Sequence, residues 1–350
     1  MIRVLVVDDS PTVRAMIAAV LQSDPAITIV GQAGDGAQAL AMVEQLRPDL
    51  VTLDLQMPVM DGLATTRAIM AAHPTPIILM TGSSVKEDVA LSFEALRSGA
   101  LAITDKPSPG SESLAAQWGR LVDMVKALAD VRVVRHRTAN GVSPARGRPT
   151  VARPSIRARI IGVGASAGGP KAVRDLLVSL PSSLSIPVLV VQHIAPGFTS
   201  GFAEWLEREM GSSRKIVVAQ QGIVPRDHCV YLAPDREHLG LTAGGSIQLS
   251  DAPLVGGFRP SATFLFASLA QVLGSAAIGV ILTGMGSDGV DGLRALHAAG
   301  GTVIAQDEDS SLVYGMPGAA EAAGIVQASL HPADMGPYIA SILEEARVTL

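Results

Sequence analysis

The chain has 350 residues, of which 48% are hydrophobic and 17% charged, with a net charge of −5 at pH 7. It is long and apolar enough for two domains with their own cores, and no run approaches the roughly 20 apolar residues of a membrane span, so collagen-like, disordered and transmembrane classes are excluded. Aromatic residues make up 3%, which argues against stacking platforms for nucleic acid. The single cysteine, Cys229, has no intrachain disulfide partner, and the chain opens on a strand-like run rather than a leader. These features predict a cytoplasmic protein with no membrane insertion.

Residues 1–129 carry 9 Lys/Arg against 14 Asp/Glu, 130–159 carry 8 against 1, and 160–350 carry 10 against 17. Two acidic blocks thus flank a basic, proline-containing joint, which reads as a solvated linker over 126–157 between domains at 1–125 and 158–350. Nucleic-acid binding by the joint is the weaker reading, because neither flanking block is basic.

In the first block, apolar strands are predicted at 4–7, 27–30, 50–53, 77–80 and 101–103, separated by segments of helical spacing such as 13–21. Five such βα units imply a doubly wound parallel sheet of the flavodoxin-like kind, with its site at the carboxyl ends of the strands. Asp8 and Asp9 follow the first strand, Asp54 the third, Thr81 the fourth and Lys106 the fifth. Three converging carboxylates repel one another unless a hard cation such as Mg²⁺ neutralises them. That chemistry suits Asp54 as a phosphoryl acceptor, with Asp8, Asp9, Asp54 and the Gln56 carbonyl on Mg²⁺ and with Thr81 and Lys106 on the phosphoryl oxygens.

The runs Val7-Asp8-Asp9-Ser10, Leu53-Asp54-Leu55-Gln56-Met57-Pro58, Met60-Asp61-Gly62, Met80-Thr81-Gly82 and Asp105-Lys106-Pro107 resemble the response-regulator receiver domain. The resemblance implies phosphorylation by a histidine kinase and movement of Thr81 toward the phosphoryl group. Ile103 departs from the pattern, standing where many receivers carry an aromatic switch residue.

After the joint, 160–170 is an apolar strand breaking into a Gly-rich turn and then a helix with Pro170 in its first turn. Gly162, Gly164 and Ala167 fit the dinucleotide fingerprint, but Gln192-His193 stand where an acidic ribose ligand is expected. A serine on such a turn also presents its hydroxyl above the sheet beside free backbone N–H groups. Ser166 is the candidate nucleophile, His193 after the next strand its base, and Asp288 after the strand at 278–283 the carboxylate partner; the backbone of Ala167 and Met285 is the candidate oxyanion hole. Asp307 after a further strand is a competing carboxylate, Cys229 reads as a buried thiol, and His238 and His331 read as surface residues.

The runs Gly164-Ala165-Ser166-Ala167-Gly168-Gly169, 191–199, 282–289, Ala305-Gln306-Asp307-Glu308, Tyr314-Gly315-Met316-Pro317 and Arg259-Pro260-Ser261 resemble the catalytic domain of chemotaxis protein-glutamate methylesterases. The resemblance implies a mostly parallel α/β/α domain and a Ser-His-Asp esterase needing no cofactor. It further implies hydrolysis of γ-glutamyl methyl esters on methyl-accepting chemoreceptors, deamidation of receptor glutamines, and regulation by the receiver. Ala167 and Thr263 depart from the family, replacing a common threonine and aspartate. The alternative is a phospho-regulated adaptor of a chemosensory array with little hydrolytic activity.

Overall fold

The computed structural model describes residues 1–82, 86–106, 114–129, 131, 158–211 and 213–348. The predicted joint at 126–157 therefore lies mostly outside the described residues.

The first sheet contains β1 (Ile2–Val7), β2 (Ile27–Ala33), β3 (Leu50–Asp54), β4 (Ile77–Thr81) and β5 (Ala102–Asp105), ordered β2-β1-β3-β4-β5. Every pairing in it is parallel. Strands β3 and β4 are buried along their whole length, which is why they read as continuous apolar runs rather than alternating ones. Ile17 and Leu21 of α1 (Pro11–Leu21) and Leu121, Val125 and Leu128 of α5 (Leu114–Leu128) cover one face. Helices α2 (Gly36–Leu46), α3 (Gly62–Ala72) and α4 (Lys86–Arg97) cover the other, through Ala39, Val43, Ile69 and Ala95. Ser10, Asp35 and Asp61 cap α1, α2 and α3 with side-chain oxygens, so the loops at the carboxyl edge end in defined turns. Helix α5 continues to Leu128, three residues past the expected domain limit at 125.

The second sheet draws on β6 (Ile160–Ala165), β7 (Val188–Gln192), β8 (Lys215–Val218), β9 (Cys229–Leu232), β12 (Ala277–Ile281), β13 (Thr302–Gln306) and β14 (Ala328–Leu330). Its order is β14-β13-β12-β6-β7-β9-β8, again parallel throughout. The intervening β10 (His238–Leu241) and β11 (Ile247–Ser250) form a separate antiparallel hairpin. Helices α6 (Gly169–Ser179), α7 (Thr199–Met210) and α11 (Pro332–Val348) pack on one face, and α8 (Ala262–Val272), α9 (Val290–Ala298) and α10 (Met316–Ala322) on the other. Strand β6 pairs with β7 on one side and β12 on the other, so the chain's direction of winding reverses at β6. In a doubly wound sheet the binding crevice opens at that point, at the carboxyl ends of these three strands.

His238 is fully buried rather than on the surface. Its ring stacks on Phe264 with centroids 4.6 Å apart, Nδ1 accepts from the Ser261 N–H at 3.3 Å and Nε2 donates to the Pro253 carbonyl at 3.1 Å. Both ring nitrogens are thus satisfied by backbone, which removes most of the cost of burying them. Cys229 is partly buried, between the core and the surface.

The two units touch through α4 and α7. Phe93 of α4 is fully buried and belongs to the core under the second sheet. Its ring centroid lies 5.6 Å from Phe202, 5.7 Å from Trp205 and 6.5 Å from Phe198. Gly201 permits this approach, since a Cβ there would collide with Val89 of α4. Arg97 pairs with Glu209 at 3.3 Å at the edge of the contact, and Leu312 and Val313 of the second unit pack against the core of the first.

Candidate functional sites

At the carboxyl edge of the first sheet, Asp8 and Asp54 are buried, Asp9 is exposed, and a carboxylate oxygen from each lies within 4.8 Å of the other two. Lys106 Nζ sits 2.7 Å from Asp8 Oδ2 and 2.8 Å from Asp54 Oδ2. Thr81, also buried, ends β4, and its carbonyl accepts the Lys106 N–H at 2.7 Å. Burial pushes the Asp54 carboxyl up, Lys106 offsets part of that, and the Asp8 charge adds to it. Burial also opposes the charge on Lys106, but its bonds to Asp54 and Asp8 outweigh that and raise its pKa. Asp8 Oδ2 is buried and, apart from its ion pair with Lys106, has no partner among the described residues. Three clustered carboxylates, two of them buried and sharing a single lysine, make an all-oxygen donor set that fits a hard divalent cation. The structure thus brings Asp8, Asp9, Asp54, Thr81 and Lys106 together, and the Gln56 N–H also donates to Asp54.

On the second sheet, Ser166 follows β6. Its N–H donates to the Thr283 carbonyl at 3.0 Å, and its carbonyl accepts the Gly169 N–H at 2.8 Å and Gln192 Nε2 at 2.8 Å. Gly168, two residues on, is left-handed at φ 73° and is the N-cap of α6. Gly284 abuts the serine so closely that a Cβ there would stand 2.6 Å from Ser166 Cβ. Thr283 Oγ1 donates to the Ala167 carbonyl at 2.9 Å and accepts the Val313 N–H at 2.9 Å, tying the serine turn to the 307–315 loop.

His193 follows β7, its N–H donating to the Ala165 carbonyl at 2.9 Å. Its Nε2 lies 2.9 Å from Asp288 Oδ2, while its buried Nδ1 has no partner among the described residues. Asp288 lies in the turn before α9. Its Oδ1 accepts Ser261 Oγ at 2.7 Å and the Thr263 N–H at 3.1 Å, and its Oδ2 accepts the Ala262 N–H at 2.7 Å. Burial alone would raise its pKa, but the bonds to His193, Ser261 and Ala262 and the attraction of His193 bring it down to about 2. These donors form the first turn of α8, whose N-terminal dipole favours the anion as well. Thr263 Oγ1 accepts the Gly289 N–H at 2.7 Å, serving as an acceptor beside Asp288 without adding a second charge.

Asp307 does not compete for His193: its Oδ1 accepts the N–H and hydroxyl of Ser310 in its own turn. Met316 is fully buried core and Met285 half-buried, and neither the Ala167 nor the Met285 N–H donates to protein among the described residues. Two contributors were missed from sequence. Gln192, a buried amide at a strand end, bridges the Ser166 and His193 carbonyls at 2.8 and 2.9 Å. Ser261 binds the Asp288 carboxylate; its place before an apolar helix signals a cap, and only the fold reveals that the cap also holds an acid.

Comparison with known proteins matches residues 4–116 to the response regulator receiver domain and 161–339 to CheB methylesterase. Together they define a hydrolase of chemotaxis signalling carried behind a receiver. Relatives of nearly full length agree. One from Anaeromyxobacter dehalogenans, a "protein-glutamate methylesterase/protein-glutamine glutaminase", is 48% identical over 95% of this chain and 96% of its own. One of the same description from Myxococcus xanthus is 44% identical over 97% and 96%. The Thermotoga maritima CheB methylesterase catalytic domain is 33% identical with a TM-score of 0.50, covering 54% of this chain and 98% of its own. The chain belongs to the CheB methylesterase family. These matches do not support the adaptor reading, and among the described residues no helix is long and apolar enough to cross a membrane.

Proposed function

We propose that the protein removes methyl groups from γ-glutamyl methyl esters of methyl-accepting chemoreceptors, with Ser166, His193 and Asp288 as its catalytic triad. The observation that carries this reading is the buried His193–Asp288 pair, with Nε2 held by the carboxylate and Nδ1 unpartnered. A neutral imidazole with its proton on Nε2 leaves the Nδ1 lone pair to take the hydroxyl proton as Ser166 Oγ attacks the ester carbonyl. Asp288, ionised at any working pH, orients the ring and stabilises the imidazolium. The unpaired N–H groups of Ala167 and Met285 are the donors for the oxyanion. Collapse of the tetrahedral adduct expels methanol, which takes the proton from His193. Water, deprotonated by the same nitrogen, then releases the glutamate carboxylate and regenerates the serine. A receptor glutamine side chain would follow the same path with ammonia as leaving group.

In the receiver, Asp54 is the phosphoryl acceptor from a chemotaxis histidine kinase. Asp8, Asp9, Asp54 and the Gln56 carbonyl would hold Mg²⁺, which when bound supplies charge neutralisation for the incoming phosphoryl group. Lys106 is placed to bind the phosphoryl oxygens and Thr81 to move toward them. We place the receiver at 1–128, through the end of α5, and the catalytic domain at 158–350, with the joint between them. The α4–α7 contact supports an unphosphorylated state in which the receiver covers the catalytic crevice, and phosphorylation shifts the population away from it.

A reactive-serine probe tests the assignment of the nucleophile. It should label Ser166, found by peptide mass spectrometry, and labelling should be lost in Ser166→Ala and much slowed in His193→Ala. Labelling elsewhere, or unchanged labelling without His193, would refute it.

A further inference from the structure

One stretch of chain grips both members of the His193–Asp288 pair. Val255 and Phe258 exchange backbone hydrogen bonds in both directions at 3.1 Å. The turn between them is Gly256-Gly257, at φ 60° and 87°. A two-residue hairpin turn with both central residues left-handed demands glycine or asparagine, and it leaves the flanking residues little freedom. The hairpin lays the Phe258 ring on the His193 imidazole, with centroids 4.1 Å apart and planes 3° from parallel. Only two residues separate Phe258 from Ser261, where the same chain turns into α8 and gives the Ser261 hydroxyl and the Ala262 and Thr263 N–H groups to Asp288.

We propose that Phe258 is a positioning residue that fixes the plane of the His193 ring, so that Nε2 stays on Asp288 while the unpartnered Nδ1 stays free to take the serine proton. The proposal rests on the reading of His193 as general base. A parallel ring at van der Waals distance blocks rotation of the imidazole about Cβ–Cγ, because any tilted intermediate would collide with it. The aromatic face also attracts the imidazolium formed when the serine proton arrives, more than it attracts the neutral ring. Both effects act on the proton transfers of acylation and deacylation and make no demand on substrate affinity.

The test is steady-state methanol release from methylated receptor membranes by the full-length protein, comparing wild type with Phe258→Leu, Phe258→Met and Phe258→Tyr. Leucine and methionine keep most of the apolar volume and lose the flat ring; tyrosine keeps both. The leucine and methionine variants should lose about 10-fold in kcat, or about 1.4 kcal/mol in the barrier, with KM within about two-fold of wild type. Tyrosine should restore kcat. Thermal melting of each variant separates a site effect from misfolding, and two apolar replacements guard against one that fails to fold. Unchanged kcat, a loss confined to KM, or failure of tyrosine to rescue would each overturn the proposal. Ser166→Ala, run alongside, must abolish release; if it does not, the triad itself is wrong and the role of Phe258 falls with it. Loss with Ser166→Ala but a wild-type Phe258→Leu refutes the positioning role alone.

Discussion

Phe93→Ala should raise the basal esterase activity of the unphosphorylated protein. Phe93 is fully buried, and the aromatic rings it packs against, Phe198, Phe202 and Trp205, all belong to the second unit. Truncating a buried phenylalanine costs about 3–5 kcal/mol, and each stacked aromatic pair carries about 0.5–1.5 kcal/mol beyond its area. Because most of that surface is shared across the α4–α7 contact, about 2–4 kcal/mol of the loss falls on docking. The ratio of docked to undocked receiver then drops roughly 30- to 900-fold. The nearby Arg97–Glu209 pair is exposed on its arginine side and contributes little by comparison. The assay is methanol release from methylated receptor membranes without phosphodonor, set against a protein lacking residues 1–130. Basal release should approach that of the truncated protein, and phosphodonor should then add little. Unchanged basal release from a Phe93→Ala protein that still accepts phosphoryl on Asp54 would refute the occlusion mechanism.

Further outcomes follow from the second site. The Asp288 carboxyl is held at about 2 against an ordinary 3.8, so it contributes about 2 kcal/mol of stability that is complete above pH 4–5 and lost as pH falls toward 2. Urea melts across that window should show the loss in wild type and not in Asp288→Asn; equal pH dependence in both would contradict the assignment. Gly284→Ala would drive a methyl against Ser166 Cβ and the Met316 sulfur. Overpacking of that kind costs about 1–3 kcal/mol, and serine-probe labelling should fall with it, whereas full labelling at unchanged melting temperature would show the turn has room. Replacing Gln192 by leucine removes the amide linking the Ser166 and His193 carbonyls. Probe labelling should slow about ten-fold or more, and an unchanged labelling rate would make the amide a packing residue only.

Much of this was legible in the sequence because parallel α/β sheets put their chemistry at one edge. Asp54, Thr81, Ser166 and His193 each end or follow an apolar run, and the run alone places them. Asp288 and Asp307 both follow strands, so strand position did not separate them; the choice is made by which loop folds back beneath α8 and which closes on itself around Ser310. With no metal-ligand spacing around it, His238 reads as a surface residue, since a sequence does not reveal that two backbone groups will saturate a ring. The Phe258 stack and the Phe93 cluster were illegible for a related reason. Periodicity marks an apolar face on a helix or hairpin, but the identity of what covers it depends on how distant elements dock.

The central claim is that Asp54 governs a reaction carried out by Ser166, and methanol release from methylated chemoreceptor membranes tests it most directly. Wild type, Ser166→Ala and Asp54→Ala would be compared with and without a small-molecule phosphodonor and Mg²⁺. The account predicts release by wild type that rises with phosphodonor, basal release by Asp54→Ala that phosphodonor does not change, and none by Ser166→Ala under either condition. Release that persists without Ser166, or stimulation that persists without Asp54, would contradict it.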